Sequence, residues 1–491
     1  MKYSCLALDL GAGSGRLVLG IFADGKLTLE EVSRFPNNIQ HVDGHDRWNP
    51  DELAENIKTA LSLAKEHETE PLSIGVDTWG VDYVLLDHSG KPVEQPVAYR
   101  DKRTEGRIEK FTELISKQLL FQKTGINFHR YNTLYQLSAQ IEENPESIKK
   151  TIRLLMMSDY FNYLLSGTCA NEFTAASTSQ MLNASKRDWD MEILNALKFP
   201  SQLVSKPVMP GTHLGEIKPE FRAHNNPVQV IAVGGHDTAS AVAAVPATDD
   251  NHAFLCTGTW CMMGVEVKVP VCTTTALQKG YSNEGAAGGG FRLLKNLMGL
   301  WIIRELQKDI VNQLTYSEME QAALTAPPCR HLVYPNDPSF FNPASMKKAF
   351  NQFFQKTRQA HPVTDAEYIS CAYHSLALLY REALDELRSI HKNPIECIHL
   401  LGGACHSPLM CQLTASATGL PVYAGPAEGS VTGNLIVQAI ALGKIKNLRA
   451  GRELIRRSFD IAVYHPEDQQ EWQKTIDRFN KKISPQGKNN E

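Results

Sequence analysis

The sequence has no long apolar run, no paired cysteine motif and no excess of basic charge. No apolar segment reaches the roughly 18–20 residues that a membrane-spanning helix needs. The ten cysteines include no C-x-x-C pair, and their spacings match no zinc motif. Lys and Arg number 50 against 54 Asp and Glu, a net charge of −4, which argues against a nucleic-acid-binding protein.

These absences favour an ordinary globular protein of a reducing compartment. The first nine residues do not resemble a signal peptide, because Asp9 interrupts a short apolar stretch. Thiols without pairing motifs are expected to be reduced and packed, so we predict a cytoplasmic protein with neither a nucleic-acid nor a membrane partner. With 491 residues and roughly 100–200 residues per domain, the chain has room for two to four domains.

A glycine-rich turn follows the first predicted strand. Residues 2–8 and 16–22 are predicted to be strands joined by the turn Gly11–Gly15. A P-loop or a dinucleotide-binding turn enters a helix, and no helix is predicted here. Instead, Asp9 ends a strand beside a hairpin whose backbone N–H groups would form a phosphate-binding nest, with Arg16 beside it. Asp9 is a candidate ligand of hydrated Mg²⁺; the alternative is a plain hairpin with a capping Asp.

Two further glycine turns lie in the second half of the sequence. Thr257-Gly258-Thr259 is again predicted to join two strands, which suggests an internal repeat of residues 3–22. Leu401-Gly402-Gly403 ends a predicted strand, and its glycines would let a flat ring or a phosphate approach the backbone. Taken alone, each is as well explained by an ordinary tight turn.

The best candidate for an acid–base group is Asp237, in the segment Gly234–Thr238. It lies at a predicted strand end and helix start, where the helix dipole favours the ionised carboxylate. Such a carboxylate accepts a proton from a hydroxyl during phosphoryl transfer. The alternative is a helix cap with His236 packed beside it.

Two more segments are candidates for contacts with a sugar. Trp79, in Asp77–Asp82, would either stack on a sugar face or belong to the core. Asn296 is predicted to lie on a helix, where it would hydrogen-bond a hydroxyl or cap that helix.

In this order, the three glycine turns and the Asp237 segment resemble the phosphate and adenosine elements of the actin-like ATPase superfamily. Within it, essentially the whole chain resembles the FGGY carbohydrate kinases. The segments that carry the resemblance are Asp77–Asp87, Ala98–Asp101, Asn132–Leu137, Gly235–Ala241 and Lys295–Trp301.

The resemblance implies an α/β fold of two ribonuclease-H-like (actin/hexokinase-type) domains around a central cleft. Residues 1–245 would bind the sugar and carry the first phosphate hairpin. Residues 246–491 would carry the second hairpin and bind adenosine. The implied reaction transfers the γ-phosphoryl group of ATP, with Mg²⁺, to the 1-hydroxyl of L-rhamnulose.

The resemblance also implies a role for individual residues. Asp237 would be the proton acceptor, while Asp9 stays the candidate metal ligand inferred from the first hairpin. The sugar contacts would be Gly80, His236, Asp237, Thr238 and Asn296. The ATP contacts would be Ala12, Gly13, Ser14, Gly15, Arg16, Thr259, Arg304 and Gly402. Related kinases carry Gln where this chain has Arg304, so a contact there would be a cationic fork instead of an amide.

Two alternatives stay open at this point. One is a kinase of the same family for another ketose or polyol, such as fuculose, xylulose or glycerol, because sugar choice depends on small differences in contacts. The other is an actin-like switch that hydrolyses ATP without a sugar.

Overall fold

A computed structural model describes residues 2–67, 69–222, 226–310 and 314–485 of the chain. The strands within these ranges are β1 Tyr3–Leu10, β2 Ser14–Ala23, β3 Lys26–Pro36, β4 Gln40–Val42, β5 His45–Arg47, β6 Pro71–Thr78, β7 Tyr83–Leu86, β8 Arg153–Met156, β9 Leu182–Asn183, β10 Asp188–Trp189, β11 His213–Glu216, β12 Gln229–Ile231, β13 His252–Thr257, β14 Trp260–Val267, β15 Ser282–Gly285, β16 Phe291–Met298, β17 Cys397–Gly402, β18 Val422–Ala424 and β19 Ala462–Tyr464.

The α-helices within the same ranges are α1 Pro50–Leu63, α2 Arg107–Thr112, α3 Lys117–Thr124, α4 Thr133–Glu143, α5 Pro145–Lys150, α6 Met157–Ser166, α7 Phe173–Ser177, α8 Met191–Leu197, α9 Asp237–Ala243, α10 Thr274–Gln278, α11 Trp301–Lys308, α12 Tyr316–Thr325, α13 Met346–Thr357, α14 Asp365–Ile390, α15 Pro408–Thr418, α16 Gly429–Ala441, α17 Leu448–Ser458 and α18 Gln469–Lys482. Among these helices, none combines the length and the apolar character needed to span a membrane.

The chain forms two compact units, and neither is continuous in sequence. The first unit comprises Met1–Thr248, Glu266–Leu293 and Glu428–Phe459. The second comprises Asp249–Val265, Leu294–Ala427 and Asp460–Glu491. The division into functional domains at residue 245 stays a prediction.

A mixed sheet forms the centre of the first unit, in the order β11-β12-β6-β1-β2-β3. Strands β1 and β2 are antiparallel, which confirms the predicted strand–turn–strand start, and β6 lies parallel on the other side of β1. This register places Asp9 opposite both Arg16 and Asp77. Three charged side chains therefore meet where β1 ends.

The second unit repeats this arrangement of neighbours, in the order β16-β14-β13-β17-β18-β19. Strand β13 is antiparallel to β14 and parallel to β17, and β17 is parallel to β18. The corresponding strand pairs of the first unit run in the same directions: β1 is antiparallel to β2 and parallel to β6, and β6 is parallel to β12. The internal repeat predicted from the two strand–turn–strand segments is confirmed.

Two helices have ends that follow from the capping chemistry of their terminal residues. Helix α1 has Asn49 as N-cap and Pro50 in its first turn, and the Asn49 side chain accepts from the backbone N–H of Glu52. Helix α15 is capped by Ser407 and ends at Gly419, which adopts the left-handed conformation. These ends are set by local chemistry, so the sequence alone predicts them.

The predicted helical position of Asn296 is wrong, because this residue lies in strand β16. The helix of this segment starts later, at Trp301, after Gly299. Strand β16 pairs with β14, and pairing between distant segments outweighs the helix-like spacing of the apolar residues.

Candidate active site

The carboxylate of Asp9 is held in place by three donors on one of its oxygens. Its Oδ2 accepts from Nε and Nη2 of Arg16 at 3.0 and 2.8 Å, and from Oγ of Ser430 at 2.8 Å. Arg16 also pairs with the carboxylate of Glu428. A cavity of about 270 Å³ opens here, lined by Asp9, Gly11, Ser14, Arg16, Arg34 and Glu428. The site is charged, open to solvent and large enough for a phosphate group.

Two glycines of the first hairpin, Gly13 and Gly15, have different surroundings. A Cβ atom on Gly13 would meet no atom within 4 Å, so the turn is open on that side. A Cβ atom on Gly15 would lie 2.4 Å from the ring of Phe35, so packing alone demands glycine there. Asn37 fixes the turn, since its Nδ2 donates to the carbonyl of Gly11 at 2.9 Å.

Asp77 lies beside Asp9 and is fully buried. Its Oδ2 accepts from Nδ2 of Asn434 at 2.5 Å, whereas its Oδ1 has no hydrogen-bond partner. Burial raises the pKa of Asp77 well above its usual range, and the charge of Asp9 raises it further. Such an unpaired buried oxygen beside a second carboxylate is unusual in a structural site.

Buried contacts hold the segment that precedes Asp237. The backbone N–H of Gly235 donates to Oε2 of Glu172 at 3.0 Å, and its carbonyl accepts from the N–H of Thr78 at 2.9 Å. A Cβ atom on Gly235 would lie 2.6 Å from Oγ of Ser158. The path of the backbone into α9 is therefore fixed.

Asp237 is the first residue of α9, and its side chain keeps 35% of its surface exposed. Its Oδ1 accepts from Oγ1 of Thr238 at 3.0 Å and lies 3.4 Å from Nε2 of His236. Desolvation raises the pKa of Asp237 and the charge of Asp9 adds to this, while His236 and Thr238 act against it. The result is an accessible carboxylate that is a stronger base than an ordinary Asp.

Behind His236 lies a buried ion pair that the sequence analysis missed. Nδ1 of His236 is 3.1 Å from Oε2 of Glu284, and the same oxygen accepts from Nη2 of Arg292 at 2.9 Å. Burial alone would raise the pKa of Glu284, but the hydrogen bond to His236 and the charges of His236 and Arg292 lower it to about 2. These contacts favour the ionised form of Glu284.

Gly80 approaches the His236 ring from the turn after β6, and Val81 is the next residue of that turn. A Cβ atom on Gly80 would lie 3.2 Å from Nε2 of His236, which leaves little room for a side chain. Val81 adopts a φ of +67°, which is strained for a β-branched residue. Its backbone is held by Thr178 and Thr133, at 3.1 and 2.6 Å.

Trp79 belongs to the core, so the second of its two sequence interpretations is confirmed. Its side chain is buried, its ring centroid lies 4.4 Å from that of Trp48, and its Nε1 donates to Oδ2 of Asp82 at 2.9 Å. It has no open face on which a sugar could stack.

In the second unit, the turn at Thr257 packs against the end of β17. Oγ1 of Thr257 donates to the carbonyl of Leu401 at 2.6 Å and accepts from the N–H of Ala404 at 3.0 Å. Gly402 has a φ of +85°, and a Cβ atom on it would lie 2.2 Å from the carbonyl oxygen of Thr257. Only glycine fits where these strands end.

The same turn supports the start of α11. The N–H of Leu300 donates to the carbonyl of Gly258 at 2.9 Å, and that of Arg304 donates to the carbonyl of Leu300 at 3.0 Å. Arg304 and Thr259 are both exposed. The structure thus gathers Thr259, Arg304 and Gly402 around one turn.

Within the first unit, the candidate residues form two groups. Asp9, Arg16 and the hairpin make one, and Gly80, His236, Asp237 and Thr238 make the other. The missed Glu284 lies 48 residues after His236 on a short strand, and no local spacing connects the two residues. Only the fold brings them together.

The fold is that of two-domain sugar kinases. The structure superimposes on a ligand-bound xylulose kinase from Lactobacillus acidophilus with a TM-score of 0.82, at 17% identity over 97% of each chain. A Plasmodium falciparum glycerol kinase, solved with ADP, gives a TM-score of 0.80 at 16% identity over 98% of this chain and 97% of that one. The predicted α/β fold of two domains is confirmed.

Sequence comparison defines the family. Residues 4–244 match the N-terminal domain, and residues 253–442 the C-terminal domain, of the FGGY family of carbohydrate kinases. The chain belongs to this family and is a sugar kinase.

Curated relatives extend over nearly the whole chain. A rhamnulokinase of Bacillus subtilis (strain 168) is 39% identical over 94% of this chain and 95% of its own length. A rhamnulokinase of Klebsiella pneumoniae (strain 342) is 40% identical over 98% of both.

Proposed function

We propose that the protein phosphorylates L-rhamnulose at its 1-hydroxyl with ATP, giving L-rhamnulose 1-phosphate and ADP. The substrate is inferred from the rhamnulokinases that resemble the chain over nearly its full length. The observation that carries the chemistry is the accessible carboxylate of Asp237, whose pKa is raised and which lies between His236 and Thr238.

Asp237 is proposed as the general base. As the 1-hydroxyl oxygen bonds to the γ-phosphorus, the bond from that phosphorus to ADP breaks and the hydroxyl proton passes to Asp237. Gly80, His236, Thr238 and Asn296 are proposed to orient the sugar. Positioning supplies much of the rate in such transfers, because the protein does little covalent work.

Backbone N–H groups and cations would bind the phosphates of ATP, and the Gly402 segment would bind its adenosine. The proposed contacts with ATP are Ala12, Gly13, Ser14, Gly15, Arg16, Thr259, Arg304 and Gly402. Arg16 already pairs with Asp9 and Glu428, so its charge is shared with carboxylates even before a phosphate binds. Arg16 also orients Asp9 through two hydrogen bonds.

Asp9 would hold Mg²⁺ together with the phosphates. The described residues contain no cluster of three or more His, Cys, Asp or Glu suited to a metal, which fits an ion held by one or two carboxylates, water and substrate. The unpaired Oδ1 of Asp77, next to Asp9, also fits a bound cation. When bound, Mg²⁺ neutralises phosphate charge.

We also propose the predicted division of labour between the two domains. Residues 1–245 would bind the sugar and the first phosphate contacts, and residues 246–491 would bind adenosine and the second phosphate contacts. The protein is proposed to act in the cytoplasm on small molecules, without nucleic acid or membrane.

A coupled assay of ADP release tests the substrate. L-Rhamnulose, L-fuculose, D-xylulose and glycerol are compared at equal ATP and Mg²⁺ concentrations. We expect the highest kcat/KM with L-rhamnulose. A higher value with another compound would refute the substrate assignment, and ATP hydrolysis independent of any sugar would indicate a nucleotide switch instead.

A further inference from the structure

The ion pair behind His236, between Glu284 and Arg292, is buried and held in place by a further hydrogen bond. Glu284 is buried on β15, and the side chain of Arg292 on β16 has an exposure of 0%. Nε of Arg292 donates to the carbonyl of Gly285 at 2.9 Å, which fixes the guanidinium against β15. A buried charge pair contributes little net stability, so stability alone does not account for this one.

The pair determines which nitrogen of His236 carries a hydrogen. Oε2 of Glu284 only accepts and lies 3.1 Å from Nδ1, so a bare Nδ1 would place two lone pairs against each other. Nη2 of Arg292 lies 3.3 Å from the same nitrogen and has a second hydrogen, but the carboxylate is the closer partner of Nδ1, at 3.1 Å, and Nη2 makes its own shorter bond, at 2.9 Å, to that carboxylate. The geometry therefore favours Nδ1 as a donor to Glu284.

While Nδ1 of His236 is bonded to Glu284, Nε2 is the ring nitrogen that faces Asp237 and Gly80. It lies 3.4 Å from Oδ1 of Asp237. In the neutral ring one hydrogen serves two carboxylate neighbours, Glu284 at 3.1 Å from Nδ1 and Asp237 at 3.4 Å from Nε2, and the closer, more buried Glu284 takes it. Nε2 is then an acceptor that faces the accessible carboxylate of Asp237, and a hydroxyl donor between these two acceptors would relieve their repulsion. A primary hydroxyl of a sugar is such a donor.

We propose that Glu284, held by Arg292, is a positioning residue that selects the Nδ1–H tautomer of His236 and so makes Nε2 an acceptor for a sugar hydroxyl. This inference rests on the proposed function for the identity of the sugar, but not for the tautomer. The other charged groups acting on this pair are His129, whose charge reaches Glu284, and Asp237 on the far side of the ring.

The tautomer is measured directly by two-bond ¹⁵N–¹H NMR correlation on protein with labelled histidine, at a pH where the ring is neutral. His236→Gln identifies the signal by its loss. We expect protonated Nδ1 and bare Nε2 in the wild-type protein. Glu284→Met should shift the ring toward the Nε2–H form. Glu382→Met, which removes another buried carboxylate, should leave it unchanged.

Kinetics supply a second readout. Glu284→Met should raise the KM for the sugar roughly five- to tenfold, the loss of about one hydrogen bond, with the KM for ATP unchanged. Glu284→Gln should recover most of the affinity, because its amide oxygen still accepts from Nδ1. If Glu284→Met fails to fold, the double variant Glu284→Met/Arg292→Met removes both buried charges and serves in its place.

Two outcomes would overturn the proposal: a wild-type His236 protonated at Nε2, or an unchanged tautomer in the variants that lack Glu284. If the protein phosphorylates none of the sugars, the proposed function fails, but the NMR result still decides the tautomer.

Discussion

Replacing Asp82 by alanine should be among the most destabilising changes near the site. Its carboxylate is fully buried and accepts only N–H groups. The donors are Trp48 Nε1 at 2.6 Å, Trp79 Nε1 at 2.9 Å, Gln136 Nε2 at 2.9 Å and the backbone of Tyr99 at 3.2 Å. Through them, Asp82 anchors the turn that carries Gly80 and the strained Val81.

The size of the effect follows from counting the donors that lose their acceptor. Nε2 of Gln136 also donates to the carbonyls of Val81 and Tyr131, so it keeps partners. The other three N–H groups would lose this acceptor, two of them on buried indoles and the third on the half-buried backbone of Tyr99. At about 1–2 kcal/mol each, Asp82→Ala should cost about 3–6 kcal/mol, a large part of the roughly 5–15 kcal/mol that stabilises a typical domain.

Urea unfolding followed by circular dichroism measures this cost. Asp82→Asn should lose less than Asp82→Ala, because an amide oxygen still accepts from both indoles. Asp250→Ala, at an exposed loop position, is the matched control and should change the unfolding free energy by less than about 0.5 kcal/mol. An Asp82→Ala protein within about 1 kcal/mol of the wild type would refute the reasoning.

Three further predictions concern pH, backbone conformation and ATP binding. Burial raises the pKa of Asp82 to about 6, so between about pH 4 and 6 the folded chain keeps a proton that the unfolded chain releases. The free energy of unfolding, measured with urea, should therefore fall as pH rises through that window. Asp82→Asn should lack this part of the pH dependence, and an identical slope in that variant would contradict the assignment. Gly402→Ala should lower the free energy of unfolding, measured by thermal unfolding, by about 2–4 kcal/mol, because of the positive φ of Gly402 and the clash of a Cβ atom with Thr257. Gly403→Ala should be nearly neutral, because a Cβ atom there would meet nothing closer than 3.6 Å. Equal losses of stability in the two variants would argue against the steric account. Arg304→Gln should weaken ATP binding severalfold in calorimetry if the guanidinium contacts a phosphate, and unchanged affinity would remove Arg304 from the site.

Much of the fold was predictable because its signals are local. The hairpin at Asp9 follows from two short, largely apolar runs on either side of a glycine turn, and the ends of α1 and α15 follow from Asn49, Ser407 and Gly419. The strand position of Asn296 was not predictable, because pairing with another strand determines it and no local signal does.

The residues of the candidate site likewise include some that local sequence signals predict and some that only the fold brings together. Asp237 stands out because a strand end and a helix start meet in a short segment, whereas Glu284 has no local pattern and acts only through the ring of His236. For Trp79, the sequence allowed both a sugar contact and a core position, and packing against Trp48 decided between them.

The turnover of Asp237→Asn tests the central claim most directly. The substitution keeps the size and the Thr238 contact of the side chain but removes the base. We expect kcat with L-rhamnulose to fall by roughly 10²–10⁴-fold, with ATP affinity in calorimetry and the unfolding midpoint close to wild type. A variant that retains wild-type kcat would show that Asp237 does not accept the proton.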